Sequence, residues 1–170
     1  MSDFRKIYKN FETKIPCGEN CSACCQIAGN IVLFPGEAGS LAEKVPGAAK
    51  YIRAKMVNGQ SVEIIEQPCP FLKNGLCSIE GDRPLDCRLY PFDYCVFNDQ
   101  IIVITSKSCP ETENISVNEK RRVEKKLLGL LEKMPRGWLM SSVLFGPCGS
   151  CGKKATCELE RAKGFNDKDW

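Results

Sequence analysis

Twelve cysteines and no histidine stand in this chain of 170 residues. The twelve are Cys17, Cys21, Cys24, Cys25, Cys69, Cys77, Cys87, Cys95, Cys109, Cys148, Cys151 and Cys157. Without imidazole there is no histidine general base, no Cys-His or Ser-His nucleophile pair and no histidine metal ligand. A metal centre made by this chain must use thiolate, carboxylate or backbone oxygen. The apolar fraction of 43% and charged fraction of 26% are those of an ordinary globular protein. A core can therefore form beside the cysteines, and the length fits one domain with a small appendage.

Cysteines serve as disulfides, as metal ligands or as small buried hydrophobes. Disulfides need an oxidising compartment. The first residues, Met1-Ser-Asp-Phe-Arg-Lys-Ile-Tyr-Lys-Asn, are charged and lack the apolar run of a signal peptide. No apolar stretch approaches the ~20 residues that cross a bilayer. The expectation is a cytoplasmic chain with no membrane partner, where clustered cysteines more often bind metal.

Spacing points the same way. Cys17-Gly-Glu-Asn-Cys21-Ser-Ala-Cys24-Cys25 puts four thiols in nine residues. They pair poorly with one another but converge readily on one or two ions. Cys24 and Cys25 are adjacent, so their side chains diverge and suit two neighbouring centres. Near the other end, Cys148-Gly-Ser-Cys151-Gly152 followed by Cys157 resembles a metal knuckle, with glycine letting backbone N–H groups face sulfur. Cys95, in the apolar run Tyr94-Cys95-Val96-Phe97, is the cysteine nearest to a plain buried thiol.

Soft thiolates select zinc, Cu(I) or iron–sulfur. The lack of histidine tilts the reading toward iron–sulfur, with four-cysteine zinc as the alternative. Cys17-x3-Cys21-x2-Cys24 also matches the cluster spacing of radical S-adenosylmethionine enzymes. Those need more chain, and Ala23 stands where they usually carry an aromatic residue.

Periodicity predicts an amphipathic helix over 3–14, a strand at Asn30–Phe34 stopped by Pro35-Gly36, and short helices over 36–45 and 47–57 separated by Pro46. Further strands are expected at Val62–Glu66 and Gln100–Ser106. Asn74-Gly75 is a turn signal that brings Cys69 and Cys77 onto one hairpin-like loop. Prolines on both sides of Cys87 suggest irregular backbone there. Ser116 and Glu119 form a capping box. It opens a helix to Met134 with Val123, Leu127, Leu130, Leu131 and Met134 on its buried face. The fold class expected is α+β: a small, irregular, metal-stabilised domain with short strands and flanking helices. The division expected is a cysteine-cluster domain over 1–116 and, over 117–170, a helix carrying a cysteine-rich appendage.

Residues 1–116 carry a net charge of −2 and residues 117–170 a net +5. Four thiolates on zinc, or on a [4Fe-4S]2+ cluster, bring about −2 per centre. Two or three such centres cancel the apparent +3. The basic helix also lacks the aromatic interleaving of single-strand binders, so a nucleic-acid partner is not expected.

Taken together, Cys17-x3-Cys21-x2-Cys24-Cys25, Cys69-Pro-Phe-Leu-x2-Gly-x-Cys77-x-Ile and Arg83-Pro-x2-Cys87-Arg-x-Tyr-Pro91 resemble the YkgJ family, the CxxCxxCC group of zinc- or iron-chelating domains. The cysteine-rich part of the flagellin lysine-N-methylase FliB is similar. The resemblance covers roughly residues 15–110. It implies ligation by Cys17, Cys21, Cys24, Cys25, Cys69, Cys77, Cys87 and Cys109. Here the Cys17–Cys21 gap is one residue longer than the family pattern, and Glu80 replaces a usual tyrosine. Cys148, Cys151 and Cys157 lie outside the pattern and need a fourth ligand, for which Cys95 or Cys109 is the candidate. Arg83 and Arg88 either donate hydrogen bonds to the sulfurs or pair with Asp82 and Asp86.

The function expected is therefore a [4Fe-4S] protein with two or three centres. It would act as an electron carrier or as an accessory or assembly subunit, with a redox enzyme or assembly complex as its protein partner. The alternative is a structural zinc module. An independent enzyme, such as a lysine methyltransferase, is disfavoured because no G-x-G-x-x-G loop is present.

Overall fold

The computed structural model describes residues 11, 13, 22–26, 29–97, 100–143 and 159–161. The expected α+β class is what it shows: short helices around small antiparallel sheets. The predicted helix over 3–14 and the Cys148–Cys157 knuckle lie outside the described residues.

A single turn of helix, α1 (Ala23–Gln26), precedes β1 (Asn30–Leu33). Pro35-Gly36 ends β1, and Gly36 takes a left-handed φ of 90° at the start of α2 (Glu37–Lys44). Pro46 then stops α2. The second helix expected over 47–57 is a 3-10 turn at Ala48–Tyr51 followed by β2 (Ile52–Val57). The sequence 52–57 alternates poorly because β2 is an edge strand with four consecutive exposed residues. Asn58-Gly59, both at positive φ, fold β2 back onto β3 (Gln60–Glu66). β3 is the centre of the sheet β1-β3-β2, with Val32 opposite Ile64.

Side chains alternate across this sheet, so its two faces feed two cores. Val32, Phe34, Val62 and Ile64 face the larger core. Ile31, Leu33 and Ile65 face the smaller one, with Ala38, Leu41, Ala48 and Phe71. The larger core also receives α4 (Val117–Leu131), whose Val123, Leu127, Leu130 and Leu131 are buried as expected. Ser116 caps α4 by accepting from the Glu119 N–H at 3.2 Å. Beyond Pro135, α5 (Arg136–Ser142) packs Trp138 against Phe34, with ring centroids 5.1 Å apart.

The cysteine-bearing middle of the chain is a set of short pieces. β4 (Leu72–Lys73) and β5 (Leu76–Cys77) form the hairpin predicted at Asn74-Gly75, both residues having positive φ. Cys87 sits on a five-residue helix, α3 (Leu85–Leu89), where irregular backbone was expected. Pro84 stands just before its first residue, where the missing N–H costs nothing. β6 (Phe92–Phe97) and β7 (Gln100–Ser106) then pair antiparallel, and β8 (Leu159–Arg161) joins the free edge of β7. Among the described residues no helix is long and apolar enough to cross a membrane.

Candidate metal centre

Four thiols from three separate segments share one neighbourhood. α1 supplies Cys24 and Cys25, whose sulfurs are 3.9 Å apart. The loop after β3 supplies Cys69, and α3 supplies Cys87. Cys69 and Cys87 both pack against the smaller core. Burial pushes the Cys25 thiol well up, reinforced by neighbouring Cys24 and Cys69. Burial does the same to Cys87, helped by Asp86, Cys24, Cys69 and Cys25. Each of these two thiols is thus held in its neutral form by burial and by like-charged neighbours.

Two buried carboxylates fix α3, and with it Cys87, onto the sheet. Asp86 Oδ2 accepts from the Val32 N–H of β1 at 2.9 Å. Glu37 accepts from Phe34 N–H at 2.9 Å through Oε2 and from Leu85 N–H at 2.7 Å through Oε1. It therefore ties the end of β1 to the first turn of α3. Burial lifts the Glu37 carboxyl to about 7, against the pull of its two N–H donors and Arg88. The N-terminal segment adds two links: Thr13 Oγ1 donates to the Arg88 carbonyl at 2.9 Å, and Arg88 Nη1 donates to the Phe11 carbonyl at 3.2 Å.

The Arg88 guanidinium reaches the Phe11 carbonyl and lies 3.9 Å from Glu37. Asp82 pairs with Lys44 at 3.3 Å, not with an arginine. Arg83 is half-buried, and its Nε has no hydrogen-bond partner.

The other described cysteines lie on further elements. Cys77 lies on β5 opposite Leu72, Cys95 on β6 opposite Ile102, and Cys109 is buried before a 3-10 turn at Thr112–Asn114. None of the described cysteines forms a disulfide. Cys17, Cys21, Cys148, Cys151 and Cys157 lie outside the described residues.

Among the described residues, no three cysteine, aspartate or glutamate side chains stand close enough to close on a single ion. A metal held by Cys24, Cys25, Cys69 and Cys87 would require these side chains to stand closer together. In chemistry the set fits zinc or iron: it is all sulfur, and its raised thiols would ionise only against a strong positive charge. Sequence reasoning missed Asp93 and Gln67, and it treated Asp86 only as an ion-pair partner. A carboxylate at position 93 between buried Phe92 and Tyr94 was the available signal.

Comparison with known proteins gives one match. Residues 16–120 match the model of the CxxCxxCC family, described as a "putative zinc- or iron-chelating domain". No curated protein and no solved structure matches the chain.

Proposed function

The chain belongs to the CxxCxxCC family of zinc- or iron-chelating domains, and from that premise we propose that it holds iron as a [4Fe-4S] cluster and serves as an electron carrier or accessory subunit. The observation that carries this reading is the convergence of Cys24, Cys25, Cys69 and Cys87 in a chain without histidine. When bound, such a cluster supplies one-electron transfer. The protein's own part is to hold it and keep it dry. The four thiols would ligate, and Ile31, Leu33, Ile65 and Phe71 of the smaller core would exclude water on one side. Asp86 and Glu37 fix α3, so Cys87 is carried by a helix pinned at both N–H contacts. The remaining cysteines are available for one or two further centres, Cys77 and Cys109 with the N-terminal thiols and Cys95 with the C-terminal knuckle. A protein partner, a redox enzyme or assembly complex, is part of the proposal.

Anaerobic purification tests it. The expected product is brown, with visible absorption and with iron and acid-labile sulfide in matching amounts. A colourless protein with stoichiometric zinc and no sulfide would replace this reading with a structural zinc module.

A further inference from the structure

Beside the thiols, a recess of about 40 Å³ opens between α1, α3 and β6, lined by Cys24, Cys87, Asp86, Asp93, Gln67 and Ser106 against a wall from Ile31 to Phe92. Its polar groups are poorly satisfied. The carboxyl group of Asp93 is enclosed by protein; Oδ1 accepts from the Tyr94 N–H at 2.7 Å, whereas Oδ2 has no partner. The buried Oε1 of Gln67 has none either. Among the described residues no lysine or arginine lines the recess. A buried acceptor without a donor costs about 1–3 kcal/mol, and a buried charge without a counter-charge costs more. Two buried oxygens without a donor, Asp93 Oδ2 and Gln67 Oε1, thus stand at one recess whose wall also carries the Asp86 carboxylate.

We propose that this recess is a second cation position, in which Asp86, Asp93 and the Gln67 amide oxygen hold a hard divalent cation such as Mg2+ or Mn2+. Carboxylate and amide oxygens select hard cations, and thiolates select soft ones. The space admits an ion together with bound water, since a water needs only about 10–15 Å³ of such volume. Cys24 and Cys87 form the wall shared with the thiol centre, so two unlike metals would sit as neighbours, sorted by donor chemistry. The position does not depend on whether the thiol centre holds iron or zinc.

The test is a titration of the full chain, its thiol-bound metal in place, with Mn2+, reading free Mn2+ by its EPR signal. The native protein should take up one equivalent beyond the thiol-bound metal. Asp93→Asn should weaken that uptake at least tenfold without changing the zinc or iron content. Gln67→Glu, which adds a carboxylate and needs no loss of fold to be read, should strengthen it at least threefold. No Mn2+ uptake by the native chain, or the same uptake in both variants, overturns the proposal. Elemental analysis of the same samples keeps failure of the thiol centre, seen as missing zinc or iron, distinct from failure of the oxygen position, seen as missing Mn2+.

Discussion

The two faces of the β1-β3-β2 sheet are built on different principles. On one face, Phe34, Val62 and Ile64 meet α4 and α5 in an aliphatic and aromatic core whose largest members are almost wholly buried. Within it, Tyr94 OH and Ser142 Oγ satisfy each other at 2.6 Å. On the other face the apolar cluster is smaller, and its edge carries thiols and carboxylates. There burial holds Cys25, Cys87, Asp86 and Asp93 toward their neutral forms. The first face gains stability simply by removing apolar surface from water. The second encloses groups that are costly to ionise and useful only when a cation meets them. Helix α3 joins the two: Leu85 and Leu89 lie in the larger core, and Cys87 packs against the smaller one.

The largest effect expected from this contrast follows removal of the metal. For an ion present at a thousandfold its dissociation constant, chelation lowers apparent stability by about 4 kcal/mol. Cys87→Ser should lose the metal of the first centre, whereas Cys95→Ser should leave that metal in place. The contrast also predicts what survives. Trp138 lies in the larger core, 5% exposed, so its near-UV signal should persist in the metal-free chain. Loss of that signal on chelation would show that both faces fold only around metal.

Truncation within the larger core is expected next. Leu127 is fully buried on α4, and Leu127→Ala should cost roughly 3 kcal/mol through lost transfer energy and a residual cavity. Urea unfolding measures this, and the loss should be the same with and without metal. A cost that appears only in the metal-bound chain would contradict the independence of the two faces.

Acidity provides a third probe, on the metal-free chain. The Glu37 carboxyl is raised from 4.5 to about 7 by burial, and Asp93 from 3.8 to about 6 by burial. Both groups bind protons more tightly when folded, so stability is greatest below the unfolded values and falls as pH rises toward about 7. For Glu37 alone the span is on the order of 3 kcal/mol. The metal-free chain should therefore melt higher at pH 5 than at pH 7.5. Glu37→Gln should flatten that slope, although it also leaves one of two backbone N–H groups without its acceptor. A melting temperature that rises with pH over this range would show that counter-charges within the fold hold the carboxylates ionised.

What the sequence made legible follows the same division. Elements of the larger core announced themselves, because period and caps report directly on local backbone: Gln100–Ser106 is a strand, and the buried face of α4 is the predicted one; beside the smaller core the Asn74-Gly75 turn was legible too. The family was legible in the cysteine spacing around Cys69, Cys77 and Cys87. Residues 52–57 were misjudged as helix because an exposed edge strand has no alternation to reveal it. Nor could spacing say that Cys87 would meet Cys24, Cys25 and Cys69 while Cys77 sits on a separate hairpin. That depends on Asp86 and Glu37 pinning α3 to β1, contacts spanning 54 and 48 positions of the chain. Asp93 escaped notice because only the packing of β6 turns its carboxylate toward the recess.

The smallest effect tests the contrast from its far end. Ser116 Oγ accepts from the Glu119 N–H at 3.2 Å, and the Glu119 carboxylate receives Arg122 Nε at 2.7 Å. Removing the hydroxyl exposes one N–H in the first turn of α4, which costs about 1 kcal/mol. Ser116→Ala should lower the unfolding midpoint by that amount, and Ser116→Asp should largely restore it, since a carboxylate caps the same N–H and favours the positive end of the helix dipole. Helix α4 packs against β7 and the larger core. Metal content of Ser116→Ala should therefore equal that of the native chain. If the metal falls in proportion to the lost stability, the two faces of the sheet form one cooperative unit, and the cap is as much a part of the metal centre as the helix that carries Cys87.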